Sequence, residues 1–211
     1  MKTDGQSAVQ LLLFIGGISL VPALLFTVTG FTRILIVLGF IRSGLGTPTA
    51  PPNQVLVGIA LFLTLFVMQP TFAQVKKEAW DPLQQGKITQ VQALDRAQGP
   101  MREFMFRQTR TTDLALFVKL GKIKDVKTRK DVPTYVLIPA FIISELKTAF
   151  QIGFLIFLPF LVIDLVVSST LMSMGMVMLP PVFISLPFKI LLFVLVDGWN
   201  LVTRSLVESF H

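Results

Sequence analysis

The chain has 211 residues, of which 53% are hydrophobic and 15% charged, with a net charge of +7 and a mean hydropathy of +0.72. That balance excludes an ordinary soluble domain and points to a membrane-associated protein. Cysteine is absent, which excludes disulfides, thiol nucleophiles and Cys-ligated zinc or iron–sulfur centres. His211, the only histidine, reads as a solvated tail rather than a metal ligand or catalytic base.

The opening stretch MKTDGQSAVQLLLFIGGISLVPALLF places a lysine before an apolar run, as a signal peptide would. Asp4 weakens the positive region, however. The apolar stretch also continues through Val28 and then Phe31–Ile41, beyond the roughly 7–15 residues of a signal-peptide core. It reads as a retained membrane segment, in keeping with the start of a processed chain. Apolar blocks follow over 11–41, 54–73, 136–170 and 171–210. RSGLGTPTAPPNQ (42–54), rich in Gly and Pro, predicts a tight hairpin loop between the first two blocks. Val55–Met68 holds only 14 uninterrupted apolar or small residues, short of the roughly 20 of a spanning helix. Pro139, Ser144-Glu145-Leu146-Lys147, Pro159, Asp164, Pro180-Pro181 and Pro187 predict broken helices in the later blocks, of the kind covered by protein inside an assembly.

Gln69 to Thr134 forms a polar segment with 13 of the 19 basic and 7 of the 12 acidic residues. Its punctuation predicts helices over Thr89–Gln98, Pro100–Gln108 after a break at Gly99, and Thr112–Leu120 ending at Gly121. KLGKIKDVKTRKD (119–131) carries six Lys/Arg against two Asp without interleaved aromatics, so a solvated or lipid-headgroup-facing surface is favoured over nucleic acid. The positive-inside rule would put this segment in the cytoplasm, but the rule weakens for loops near 60 residues and this one has 66. The chain divides into an N-terminal hydrophobic hairpin (1–72), a polar helical segment (73–134) and C-terminal hydrophobic helices (135–211).

No hydrolase, phosphate-loop or paired-carboxylate motif is present, so an enzyme is not expected, nor a cofactor. Arg33, Glu145, Lys147, Asp164, Lys189 and Asp197 fall inside apolar blocks, where charges need partners. Glu145 and Lys189 are the candidate assembly ion pair, within or between subunits; the alternative puts Glu145 and Lys147 at a wet helix end. Asp164 and Asp197 suit helix capping or hydrogen bonding to neighbouring helices better than a proton relay. Arg33 could pair or snorkel. Phe104 and Phe117, apolar among charges, are candidates for core or for a subunit interface, and the interface is favoured.

LMSMGMVMLPP (171–181) places Met172, Met174, Met176 and Met178 at a spacing of two, which cannot form one stripe on an α-helix. Gly175 and Pro180-Pro181 favour a loop or broken helix, and flexible thioethers suit a surface that closes without being rigid.

FTRILIVLGFIRSGLGTPTAPPNQVLVGIALFLTLFVMQP (31–70), SELKTAFQIGFLIFLPFLVIDLVVSS (144–169) and MGMVMLPPVFISLPFKILLFVLVDGW (174–199) strongly resemble the FliP family of flagellar export-gate proteins. The counterparts in virulence type III secretion are a more distant match. The resemblance implies an all-α, integral-membrane-type subunit with broken hydrophobic helices and a polar helical insertion. Five copies would form a helical ring with FliQ and FliR in the inner-membrane basal body, standing largely above the membrane plane. Further implied partners are FlhB and FlhA, unfolded flagellar export substrates and membrane lipid, with no nucleic acid. The resemblance also implies that 73–134 is periplasmic, against the charge rule, and that a loop of Met174, Met176, Val177 and Met178 closes the channel as a gasket. Val177, where the family usually has methionine, is a stiffer element. Copper(I) transport through Met-x-Met, or small-solute transport through Asp164 or Asp197, are the competing readings. The first lacks a second Met, Cys or His cluster and the second lacks inverted repeats.

Overall fold

Two stripes of residues four apart organise the structure, a computed structural model that describes residues 26–123, 126, 128–176 and 178–210. Helix α1 (Phe31–Leu45) buries Arg33, Val37, Ile41 and Leu45 on one ridge. Helix α6 (Thr134–Ser173) buries Leu137, Phe141, Glu145, Ala149 and Gly153 on another. Residues four apart lie on one helix face, so the two ridges meet as a continuous seam, the most extensive helix packing among the described residues. The helices run parallel, Phe40 stacking edge-on against Phe150 and Gly44 lying against Phe160. The seam is close because two positions lack a side chain. A Cβ on Gly153 would lie 2.4 Å from the Phe40 ring, and one on Gly44 would lie 2.6 Å from Phe160.

Helix α2 (Asn53–Val75) returns antiparallel beside α1 after the expected Gly/Pro turn, then runs through a π-helical turn (Lys76–Trp80) into the short α3 (Asp81–Gln84). Helices α4 (Gln90–Gln108) and α5 (Thr111–Leu120) cover the α1/α2/α6 layer at the end where α6 begins. Thr89 starts α4 with a capping box, accepting from Gln92 N–H while its own N–H donates to the Gln92 side chain. Helix α7 (Pro181–Leu195) runs antiparallel to α6, and α8 (Gly198–Glu208) follows after a 64° bend. No strand occurs among the described residues.

Most of the expected breaks are absent, including those at Asp164 in α6 and at Pro187, which lies inside an unbroken α7. Gly99-Pro100 does not divide α4, which is continuous from Gln90 to Gln108. Nor do Pro139, the charged step at 144–147 or Pro159 interrupt α6, whose 40 residues span about 60 Å at 1.5 Å per residue. A helical proline removes one amide donor, but long flanking turns and a packed face hold the helix together; Pro100 and the α6 seam are both buried. The breaks occur at Pro180-Pro181, as expected, and at Asp197, whose φ of 50° is left-handed. Asn53–Gln84 and Thr134–Ser173 are long and apolar enough to cross a membrane, and α7 with α8 qualifies as a bent pair.

Candidate functional site

Three clusters gather the sequence-selected residues. At the first, every guanidinium N–H of Arg33 has an acceptor. Nε donates to Glu145 Oε2 at 3.0 Å, and Nη2 donates to Glu145 Oε1 and to Gln108 Oε1. Nη1 donates to Ser209 O at 2.7 Å and to Ser209 Oγ at 3.0 Å. The Phe210 ring lies under the guanidinium at 3.9 Å, and Phe210 O accepts from Gln108 Nε2. One planar, permanently charged fork thereby ties α1, α4, α6 and the turn after α8 together, a geometry lysine could not reproduce. Glu145 is 0% exposed and Arg33 1%, so the two charges are compensated by each other and by this network.

The expected Glu145–Lys189 pair is therefore corrected. Lys189, 3% exposed, donates to Asp164 Oδ2 at 2.6 Å, and Ser185 Oγ donates to Asp164 Oδ1 at 2.6 Å. This second cluster joins α6 to α7 in the register that also brings Phe160 to Phe193. Positions 145 and 164 lie about 28 Å apart along one helix, out of reach of a single lysine. The favoured role of Asp164, hydrogen bonding to a neighbouring helix, matches this geometry. Asp197 makes no side-chain cap on α8.

Lys147 does not form a wet helix end with Glu145. It faces the opposite way and pairs with Asp113 of α5, which also accepts from Ser144 Oγ at 2.9 Å, while Arg110 N–H donates to Ser144 Oγ. The Lys147 hydrogen bond holds the Asp113 carboxyl below its ordinary range; burial opposes that shift, and Ser144 adds to it. Phe104 is also corrected. At 3% exposed it packs edge-on to Phe141 and stacks with Phe210, so it belongs to the core and has no surface to offer a neighbour. Phe117 is half-buried against the same core.

The third cluster is the methionine run. Gly175, with φ of 77°, ends α6: its N–H donates to Met172 O and the Met176 N–H donates to Leu171 O, the paired bonds of a Schellman turn. Met172, Met174 and Met176 are exposed around it, and Met178 is 98% exposed. Val177, the N-terminal stretch through residue 25 and His211 lie outside the described residues. So do Lys124, Asp125 and Lys127 of the basic run; its Lys119, Lys122, Arg129 and Lys130 are exposed.

These features define a class: an all-helical, membrane-type protein with many large apolar side chains left exposed. Phe62, Phe66, Phe154, Phe183, Phe188 and Val194 are all exposed, spread over α2, α6 and α7. The chain belongs to the FliP family, whose pattern it matches over residues 14–206. It is 58% identical over 205 residues to the flagellar biosynthetic protein FliP of Bacillus subtilis, covering 97% of this chain and 93% of that one. The protein of the same name from Pectobacterium carotovorum is 56% identical over 214 residues, with 100% and 83% covered. That of Aquifex aeolicus is 48% identical over 206 residues, with 97% and 86% covered.

Proposed function

We propose that the chain acts in flagellar biosynthesis as a pore-forming subunit of the protein export gate, passing unfolded flagellar proteins through a channel that the methionine turn closes. The observation that carries this reading is the turn at the end of α6: long, flexible, apolar side chains of Met174, Met176 and Met178 are presented outward on a capped bend instead of filling a core. Thioethers brought together from several copies would exclude water and ions, yet yield to a passing chain. Membership of the family and the shared name of the relatives support the flagellar assignment.

In this reading the subunit sits in the inner-membrane part of the flagellar apparatus as one of five copies. FliQ and FliR share the ring, and FlhA and FlhB lie beside it. Segment 73–134 is periplasmic, and half-buried Phe117 reaches a neighbouring subunit. Val177 joins the three methionines as the stiffest element of the gasket.

Replacing Met174, Met176 and Met178 together by Ala should raise the ion conductance of the closed complex while leaving thermal stability within about 0.5 kcal/mol, because the side chains lost are exposed. Conductance equal to that of the unaltered complex would remove the gasket.

A further inference from the structure

The methionine turn gathers the sulfurs of this chain that a small oxidant can reach. Every exposed methionine among the described residues lies in it: Met172, Met174, Met176 and Met178. Their exposures run from 46% to 98%, against 0% for Met68 and 2% for Met105, which the core encloses. Met101 is half-buried against the same core. A thioether is oxidised where a peroxide has access to its sulfur, so burial separates the turn from the rest of the chain.

The surroundings of those sulfurs supply the second observation. No Asp, Glu, Lys, Arg or His occurs between Asp164 and Lys189. The hydroxyls nearest the turn are committed to helix backbone: Thr170 Oγ1 donates to Val166 O at 2.8 Å, and Ser173 Oγ donates to Thr170 O at 2.7 Å. The N–H groups of Met174, Gly175, Met176 and Leu179 donate to the carbonyls of Thr170, Met172, Leu171 and Met176, and Pro180-Pro181 has none to give. These donors suit thioethers, which ask for no partner. A sulfoxide oxygen placed among them finds every one engaged and takes its hydrogen bond from water.

We propose that Met172, Met174, Met176 and Met178 form a peroxide-sensitive modification site, and that their sulfoxides open the seal by hydrating it. The sulfur lone pair attacks one oxygen of hydrogen peroxide, and the S–O bond forms as the O–O bond breaks. Sulfur is oxidised by two electrons and the peroxide is reduced. The departing oxygen takes the proton of the transferred one and leaves as water. The side chain keeps its length but becomes polar. A hydrophobic constriction that holds water out by dewetting loses that property when its lining gains strong acceptors. The inference rests on the gate reading, since the closed channel is what the sulfoxides wet.

The test treats the closed complex with hydrogen peroxide, maps sulfoxides by peptide mass spectrometry and records ion conductance in planar bilayers. Each sulfoxide adds about 16 Da, and the four turn positions should be oxidised about ten-fold faster than Met68 and Met105. Conductance should rise with sulfoxide content and fall back after treatment with methionine sulfoxide reductases of both epimer specificities. Met172→Leu, Met174→Leu, Met176→Leu and Met178→Leu together leave no sulfur in the turn and should abolish the response to peroxide, whatever the resting conductance of that variant. Reversal by the reductases reads the same point in the unaltered complex, should the Leu variant fail to assemble. Sulfoxides spread evenly over buried and exposed methionines would overturn the site. A rise that persists in the Leu variant, or that the reductases do not reverse, would overturn the mechanism. Sulfoxides at the turn without a rise, in a complex that leaks once Met174, Met176 and Met178 are replaced by Ala, would overturn the inference and leave the gate standing. No rise in either preparation would remove the gate itself, and the inference with it.

Discussion

The two ends of α6 differ more in what surrounds them than in what they are made of. Where α6 begins, α1, α4, α5 and the turn after α8 bury Phe141 and Glu145 completely, and a bidentate ion pair is saturated by Gln108 and Ser209. Where it ends, Leu165, Val166, Met172 and Met174 are exposed, α7 is the main packing partner, and the one ion pair joins buried Lys189 to an Asp164 side chain that is 34% exposed. Both halves of the helix are strongly apolar. The difference teaches that the chain supplies its own cover for one end and leaves the other for lipid or further subunits.

The largest effect expected from breaking this contrast is at Arg33. Arg33→Ala or Glu145→Ala alone should destabilise the detergent-solubilised chain by about 3–5 kcal/mol, since each strands the other charge in a dry site. The double Arg33→Met, Glu145→Met should be milder than either single change, and unfolding midpoints decide it. If the double is as damaging as the sum, the network holds the fold through groups other than the charge pair. A smaller effect is expected at the open end. Asp164→Asn or Lys189→Met should cost about 1–3 kcal/mol, because water reaches Asp164 and screens what is left. That weaker pair still sets the α6–α7 register, so spin-label distances across the hairpin should broaden more than the unfolding midpoint falls.

The smallest effect concerns how α5 docks. The native Asp113 carboxyl is held below its ordinary range, chiefly by Lys147. The stabilisation is therefore complete above the unfolded value near 3.9 and is lost as pH falls through the lowered native value. Asp113→Asn should cost about 1 kcal/mol at neutral pH and flatten the acid limb of a thermal-midpoint profile below about pH 4. An unaltered acid limb would show that other carboxylates govern it.

Much of the architecture can be read from residue pattern: the all-helical class, the Gly/Pro turn before Asn53, the Thr89 cap and the turn at Gly175 are local signals. The partners of the buried charges were harder to read, although a signal exists. Arg33 shares a four-residue ladder with Val37 and Ile41, Glu145 shares one with Phe141 and Ala149, and Lys189 shares one with Ser185 and Phe193. Those ladders mark the three charges as inward-facing, and Lys147 falls off the Glu145 ladder. What pattern could not supply is which ladders face each other, because that depends on the parallel setting of α1 against α6. Proline misled for a related reason: buried Pro100 and half-buried Pro139 sit in packing that only the tertiary fold reveals, and exposed Pro159 is carried by the length of the helix on either side of it. Phe104 reads as an interface residue among charges, yet it is one of the rings that close the core over Arg33.

Because α6 is unbroken, it is a lever as well as a wall. Met174 lies about 44 Å along the helix axis from Glu145, the point at which the helix is most firmly gripped. A tilt of about 5° about that grip would swing the methionine turn sideways by about 4 Å, roughly the width of a methyl group, while displacing the Arg33 network by almost nothing. Small rotations at the tightly packed end are thus amplified into displacements of the methionine turn at the open one.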